Sequence, residues 1–203
     1  MSDSYEIDQA RLDELTACAE MFNSLMEEHA SIPEIFAVTS DVVPKKKSEY
    51  SAIIAGGNGR IFVARKDDQP VAMAAVYTRH APDYFHFKEH GFIADVYVQA
   101  QHRRKGLARQ LAAACLDYLS QQGITTVRLT NSVLNDVADR TWDALGFKEV
   151  MKVRLLNVED GIKEVRREFD DERIPCVDET CVGTIGPDGR CRYCGKPGPD
   201  GTK

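Results

Sequence analysis

The sequence has no apolar run long enough to span a bilayer, and its 203 residues carry no excess of basic charge. With 26 Lys and Arg against 32 Asp and Glu, the net charge is −6. This balance argues against a nucleic-acid-binding protein and mildly favours cationic partners such as amines, although a solvated acidic surface explains it equally well. The first fifteen residues are polar and acidic and do not resemble a secretory signal. We therefore expect a cytoplasmic protein with no membrane or nucleic-acid partner.

Cysteine is scarce over most of the chain and concentrated near its end. Cys18 and Cys115 lie singly in predicted amphipathic helices, where a free cysteine usually packs as a small hydrophobe. The remaining four are crowded into the last thirty residues: Cys176, Cys181, Cys191 and Cys194. Without a secretory signal, such a cluster indicates a metal site rather than disulfides.

The C-terminal cysteines form two pairs, separated by a Gly-rich hairpin with a turn at 187–189. Four thiolates in this arrangement suit a tetrahedral, structural Zn²⁺ in a zinc-ribbon-like tail; iron or a redox dithiol are the alternatives. A segment of this size cannot fold on an apolar core, so the metal would stabilise it. A lid, a homodimer contact and a protein-docking surface all suit such a tail, and the sequence does not choose among them.

Hydrophobic periodicity predicts a mixed α/β domain with the element order β α α β β β α β α β. The predicted elements are strand 4–8, helices 11–29 and 45–55, strands 60–65, 70–77 and 92–98, helix 106–122, strand 124–130, helix 135–145 and strand 147–156. A strand, helix and strand around 92–130 indicate a locally parallel pair, and the hairpin before it indicates antiparallel neighbours. We place the main domain at 1–157, a charged linker or short helix at 158–172, and the tail at 173–203.

The most informative segment is 91–119, which has the pattern of a buried strand, a short basic turn and an amphipathic helix. The turn brings together cations and free backbone N–H groups at a helix N-terminus, which suits a pyrophosphate. Gly106 lets a ligand approach the backbone without a Cβ clash. The turn residues are Arg103, Arg104, Lys105, Gly106, Leu107 and Ala108.

This segment resembles the pyrophosphate loop of the GNAT superfamily of acyl-CoA-dependent N-acyltransferases, whose pattern is Arg or Gln, two residues, Gly, one residue, then Gly or Ala. The preceding strand DVYV and the downstream segments NDVA, from Asn135, and WDALGF, from Trp142, match the family in the same order. The resemblance covers roughly residues 4–156. It implies a mostly antiparallel sheet with a splayed central parallel strand pair flanked by helices, and acetyl-CoA as the co-substrate.

The resemblance also implies how the cofactor is held. The pantetheine arm would pair with the exposed edge of the fourth strand, at Val96 and Val98, where a backbone N–H would polarise the thioester carbonyl. The loop 103–108 would hold the pyrophosphate. Asn135 stands where the family often contacts the cofactor arm, although it is equally explained as a helix N-cap. Trp142 would pack against the same arm.

Acyl transfer to an amine requires removal of a proton, because an ammonium has no lone pair. Asp95 is the leading candidate for the base, with a structural carboxylate as the alternative, and Glu89, His86 and His90 are other candidates. The family often protonates the leaving thiolate with a Tyr, but Trp142 occupies that position and is no useful acid. Tyr97, a water molecule or unassisted departure would replace it.

Two functions follow from the resemblance. The favoured one is acyl transfer, most simply of acetyl, from acyl-CoA to a primary amine of a small molecule or protein. The alternative is a non-catalytic acyl-CoA-binding module whose zinc-ribbon tail recruits a partner, and Trp142 in place of Tyr is its main support.

Overall fold

The computed structural model describes residues 4–29, 37–163 and 174–199. Internal contacts divide the chain into two compact units, 1–148 and 149–203. The domain limits drawn from the sequence at 157 and 172 stay predictions.

The first unit is built on one five-stranded sheet, in which the strands lie in the order β1-β2-β3-β4-β5. The strands are β1 Glu6–Gln9, β2 Gly59–Lys66, β3 Gln69–His80, β4 Glu89–Val98 and β5 Val127–Leu129. The first four pair antiparallel in sequence order, and β4 pairs parallel with β5. The mixed, mostly antiparallel sheet with one parallel pair is therefore confirmed. The pair lies at the edge of the described sheet rather than at its centre, because no described strand follows β5.

In the described part of the first unit, four α-helices and two short 3₁₀ turns accompany these strands. The helices are α1 Leu15–His29, α2 Val42–Ala55, α3 Leu107–Gln121 and α4 Asp136–Ala144. The 3₁₀ turns are Leu12–Glu14, before α1, and Ala100–His102, between β4 and α3. The predicted helices are therefore present, with limits that move by up to four residues.

The sheet has an apolar layer on each face. Successive side chains of a strand point to opposite faces, and the central residues of β2 and β3 are buried on both. On one face, Leu107, Leu111, Cys115 and Leu119 of α3 pack against the sheet. On the other face lie residues from α1 and α2: Leu15, Cys18, Met21 and Tyr50. The α1–α2 face carries Tyr97, whereas Val96 and Val98 pack on the α3 face.

The predicted last strand, 147–156, is wrong: these residues have no regular secondary structure. Apart from Phe147, which packs against the α3-face core, the apolar side chains of this segment are exposed, with Val150 at 80% and Val153 at 84%. A strand requires a ladder partner for its backbone groups, and this segment has none among the described residues.

The second unit begins with this extended segment and continues into a helical stretch over 158–163. The helix predicted from Ile162, Val165 and Phe169 is described only to 163, and the other two residues lie outside the described part. The tail is tied by isolated bridges between 175 and 184, 185 and 191, and 190 and 197. Within the described ranges, no helix is long and apolar enough to cross a membrane.

Candidate functional site

Strand β4 contains a bulge at its centre, where its pairing with β5 stops. Ala75 and Val76 of β3 are consecutive, but they pair with Asp95 and Ile93, so Ala94 is an extra residue in β4. The parallel pairing with β5 ends at the same point, at the Ile93–Leu129 pair. The parallel pairing therefore ends at the bulge, and β5 itself ends at Leu129.

Beyond the bulge, one edge of β4 carries backbone groups that do not pair with β3. The N–H of Gln99 donates to the carbonyl of Val71 at 3.0 Å. Because hydrogen-bonding direction alternates along an antiparallel ladder, the N–H and C=O of Val96 and Val98 point away from β3. Arg103 supports this assignment, since its Nε donates to the carbonyl oxygen of Val98 at 2.8 Å. The backbone groups of Val96 and Val98, the two residues predicted to pair with the pantetheine arm, are therefore not used by the pairing of β4 with β3.

The basic turn after β4 has the backbone expected of an anion-binding loop. Gly106 is left-handed, with φ +77°, and directly precedes α3 without a capping side chain. Arg104 is also left-handed, with φ +61°, a conformation that costs a non-glycine residue free energy and often marks a functional loop. The first N–H groups of the 15-residue helix α3 therefore face the loop without a side-chain acceptor.

Asp95 is buried on the α1–α2 face and is part of a polar cluster. Lys46 Nζ lies 3.0 Å from its Oδ2, and the Tyr50 hydroxyl donates to the same oxygen at 3.1 Å. Burial raises the pKa of Asp95, while Lys46 and Tyr50 oppose the rise by stabilising the carboxylate. The cluster keeps Asp95 paired yet more basic than an ordinary carboxyl group.

Lys46 is the functional candidate that the sequence did not reveal. Its Nζ lies 4.3 Å from the ring centroid of Phe22 and also pairs with Glu49 at 3.0 Å. Burial lowers the pKa of Lys46, but the carboxylates of Asp95 and Glu49 outweigh burial and raise it overall. The sequence shows three consecutive lysines, 45–47, in a predicted helix. It does not show which of the three faces the sheet, because that depends on how the helix is rotated about its axis.

Tyr97 lies two residues beyond Asp95 on the same face. Its hydroxyl donates to Glu28 Oε1 at 3.0 Å, and Arg103 Nη2 donates to the same oxygen at 2.5 Å. Burial, reinforced by Glu28, raises the pKa of Tyr97. Glu28 therefore connects α1, β4 and the basic loop, a role that the sequence did not indicate.

The remaining cofactor candidates lie around α4. Asn135 caps this helix by accepting the N–H of Ala138 at 3.0 Å, and its amide nitrogen lies 3.3 Å from Nε2 of His29. Trp142 packs edge-on to Phe147, with ring centroids 5.5 Å apart. Between α3 and α4 lies a cavity of about 330 Å³, lined by Arg109, Val137, Arg140, Thr141, Ala144 and Leu145.

The alternative bases lie at the other end of β4, near the β3–β4 turn. Glu89 pairs with His80 at 3.1 Å, and His86 is exposed. His90 is buried, and its Nδ1 has no hydrogen-bond partner. None of the three is linked by a described hydrogen bond or ion pair to the cluster around Asp95.

A second, separate site consists of the four tail cysteines, whose sulfur atoms all lie within 4.8 Å of one another. The Cys176 and Cys194 sulfurs are 3.5 Å apart, and those of Cys181 and Cys191 are 3.7 Å apart. Zn–S bonds of about 2.3 Å in a tetrahedron require sulfurs about 3.8 Å apart, so the donor set fits zinc.

Backbone N–H groups donate to these sulfurs and prepare them as ligands. Cys191 Sγ accepts from the N–H groups of Tyr193 and Cys194 at 3.4 and 3.5 Å, and these bonds lower the pKa of this thiol to about 6. Equivalent N–H bonds reach Cys176 and Cys181 from the residue two positions later. A metal bound here would have its thiolate ligands oriented by the chain.

Comparison with known proteins supplies the family relationship. The model of the acetyltransferase (GNAT) family matches residues 20–147, well over half of the chain. A comparison with curated proteins finds no match.

Solved structures share the fold of the first unit. A tetramutant of the BH1408 protein from Bacillus halodurans aligns with a TM-score of 0.66 at 17% identity, over 75% of this chain and 99% of that chain. A predicted acetyltransferase with acetyl-CoA from Clostridium acetobutylicum has a TM-score of 0.64 at 16% identity, over 77% and 98%. The aminoglycoside N-acetyltransferase AAC(6')-Iy in complex with CoA has a TM-score of 0.62 at 21% identity, over 76% and 94%. At these identities the likeness concerns the fold alone.

Proposed function

Because the chain belongs to the acetyltransferase (GNAT) family, we propose that it transfers an acyl group, most simply acetyl, from acyl-CoA to a primary amine of a small molecule or protein. The observation that carries the proposal is a bulged β4, whose pairing with β5 ends at the bulge, combined with the uncapped N-terminus of α3 after it. The first offers an unpaired strand edge for the acyl arm, and the second offers donors for the pyrophosphate.

The loop 103–108 would bind the pyrophosphate through its backbone N–H groups, with the side chains of Arg103, Arg104 and Lys105 adding positive charge. Val96 and Val98 would pair with the pantetheine arm. The cavity between α3 and α4, where Arg109 and Arg140 lie, suits the nucleotide end of CoA. Asn135 and Trp142 would contact the arm from the α4 side.

In the proposed reaction the amine lone pair attacks the thioester carbonyl carbon. A C–N bond forms, the C–S bond breaks, and the thiolate of CoA leaves. A backbone N–H on the open edge of β4 would stabilise the oxyanion, because it is fixed in place before the reaction begins. The nitrogen loses one proton to a base.

Asp95 remains the proposed base. Its burial raises its pKa, which makes the carboxylate a better proton acceptor than an exposed one, while Lys46 keeps it ionised. Tyr97 is proposed to donate a hydrogen bond to the leaving thiolate. Its raised pKa makes full proton transfer unfavourable, so the thiolate, with a typical pKa of about 8.5, would leave as an anion.

The second candidate function is a non-catalytic acyl-CoA-binding module. Two observations favour it: Trp142 stands where the family often has a Tyr, and Asp95 already has Lys46 and Tyr50 as partners. Such a module would bind acyl-CoA through the same loop and strand edge but would release no thiol.

We also propose that the tail holds one structural Zn²⁺ through its four cysteines. No ligand position would remain for substrate, since four thiolates complete a tetrahedron. We expect the protein to work in the cytoplasm, where thiols stay reduced, without a nucleic-acid or membrane partner. A homodimer contact is one role for the tail.

The test is a measurement of acetyl-CoA affinity and of thiol release with a panel of amines. Gly106→Glu places a carboxylate at the proposed pyrophosphate site, and we expect it to abolish both binding and thiol release. Gly123→Glu is the matched control, because Gly123 is also left-handed, with φ +75°, but follows the opposite end of α3. Binding without thiol release for any amine would favour the second function, and equal losses in both variants would contradict the site.

A further inference from the structure

Next to the proposed reaction centre, the α1–α2 face of the sheet carries a group of aromatic and cationic side chains. Tyr77 and Phe92 are cross-strand partners, and Arg79 and His90 are the next partners on that face. Arg128 of β5 pairs with Phe92 from the other side. Because directly opposed residues share a face, these five side chains lie together; Phe92 and His90 are two and four positions before the bulge at Ala94.

The guanidinium group of Arg79 stacks on the aromatic rings of this group, and Arg79 has no acidic partner among the described residues. Its guanidinium carbon lies 4.0 Å from the ring centroid of Phe92 and 5.1 Å from that of Tyr77. Nη2 donates to the Tyr77 hydroxyl at 2.7 Å, and the side chain is exposed. Stacking orients the planar guanidinium, so its remaining N–H donors are available in a fixed direction.

His90 provides an independent observation that points to a ligand. It is 7% exposed, yet its Nδ1 has no hydrogen-bond partner, which is costly for a buried polar atom. Burial, together with the positive charges of Arg128 and Arg79, lowers the pKa of His90 and keeps the ring neutral. A negatively charged ligand group would offset the two guanidinium charges and accept a hydrogen bond from the ring.

No described hydrogen bond or ion pair joins an acidic group to Arg79 or to the His90 ring. Asp95 is paired with Lys46, and Glu49 also pairs with Lys46. Glu89 pairs with His80, and it alternates with His90, so it belongs to the other face. The positive charge on this face therefore favours a ligand with an anionic group over a polycationic amine.

We propose that this face selects the acceptor: the amine substrate carries an anionic group, a carboxylate or a phosphate, which binds Arg79 and His90 with Arg128 beside them. The amine would then extend toward the bulge, while Phe92 and Tyr77 contact the carbon skeleton. This inference rests on the proposed acyl transfer and narrows its substrate class.

The test compares acceptors that differ only in the anion: phenylalanine with phenethylamine, β-alanine with propylamine, and phosphoethanolamine with ethanolamine. We expect kcat/KM for the member that carries the carboxylate or phosphate, in at least one pair, to exceed that of its partner without this group at least tenfold. In Arg79→Gln this preference should fall about 10- to 100-fold, the loss expected for a charge-assisted hydrogen bond. The pair that responds distinguishes carboxylate from phosphate.

Two further variants guard against a folding artefact. Arg60→Gln removes an arginine from the α3 face, where it stacks on Tyr118 at 5.3 Å, and should leave the preference unchanged. Arg79→Lys keeps the charge but not the planar fork, so it should restore only part of the preference. Preference for the members without a carboxylate or phosphate, or an unchanged ratio in Arg79→Gln, would overturn the proposal.

A binding measurement separates this proposal from the proposed reaction. With CoA present, NMR signals of the His90 ring, assigned with His90→Gln, should shift on adding β-alanine or phosphoethanolamine but not propylamine or ethanolamine. If neither anion shifts them, the acceptor proposal fails even if thiol release is observed. If the signals shift but no thioester is cleaved, the anion site stands and acyl transfer fails.

Discussion

Unit 1–148 buries apolar side chains on both faces of its sheet, whereas the buried side chains described in unit 149–203 are those of Cys176 and Cys191. In the first unit, removal of apolar surface from water supplies most of the stability. In the second, the described tail residues form isolated bridges around four sulfur atoms. The difference indicates that one unit is stabilised by its own packing and the other requires a bound metal.

Removing zinc should have the largest effect and should be confined to the tail. Structural zinc contributes on the order of 10 kcal/mol or more in small metal-dependent domains. We expect a chelator, or Cys191→Ser, to collapse the dispersion of the tail's amide NMR signals, while the signals of residues in α1 to α3 keep their positions.

The matched control is the buried core cysteine Cys115, which lies on α3 within the apolar cluster. Cys115→Ala should leave the zinc content at one per chain. Loss of zinc in Cys115→Ala, or a folded tail after chelation, would contradict the difference between the two units.

A cavity in the core should destabilise the first unit and leave the zinc site of the tail unchanged. Leu111 is fully buried on α3, and Leu111→Ala should lower the free energy of unfolding of the first unit by about 2–5 kcal/mol. Leu116 lies on the same helix and is 41% exposed, so Leu116→Ala should change it by about 0.5 kcal/mol or less. Denaturant unfolding measures both, and zinc content should stay constant. Equal effects in the two variants would show that α3 does not pack as described.

Lys46 and Asp95 form a charged pair within the apolar first unit. The effect of Lys46 on the pKa of Asp95 can be measured. Lys46 lowers the pKa of Asp95, so Lys46→Met should raise this pKa further above its ordinary value. A base works only above its pKa. The acidic limb of the kcat/KM profile, already shifted upward by burial, should therefore move to higher pH.

Lys47→Met is the control for this prediction, since Lys47 is an exposed neighbour on the same helix. Its pH profile should match that of the unchanged protein. An acidic limb that stays in place in Lys46→Met would exclude Asp95 as the base.

The smallest effect is expected at α4, which has no buried residues and depends on its cap. Asn135→Ala should cost about 1 kcal/mol of stability by removing the acceptor for the Ala138 N–H. Asn135→Ser keeps a capping oxygen but loses the amide near His29. If KM for acetyl-CoA rises in both variants, Asn135 contacts the cofactor directly. If it rises only in Asn135→Ala, capping alone explains the residue.

The parts of the molecule governed by local sequence were predicted well. The basic turn expected at 103–108 leads directly into α3, and Cys115, expected to pack as a small hydrophobe in an amphipathic helix, lies in the core. The cysteine spacing likewise predicted four sulfurs in one place, because short loops limit how far they can separate. In each case the deciding interactions lie within about twenty residues of one another.

The features that depend on distant pairing were not predicted. The contact between Lys46 and Asp95 joins residues 49 positions apart on α2 and β4, and Glu28 reaches Arg103 across 75 positions. The segment 147–156 has β-branched residues, but a strand forms only when another strand pairs with it. The local sequence pattern does not determine these contacts or the pairing of this segment, because both depend on how distant elements are arranged in the folded chain.

The most direct test of two independently stabilised sites is a native mass spectrum of the full chain with acetyl-CoA, before and after chelation. We predict one Zn²⁺ and one acetyl-CoA per chain before chelation, and acetyl-CoA alone afterwards. A spectrum without an acetyl-CoA adduct, or one in which acetyl-CoA is lost together with zinc, would contradict the proposal.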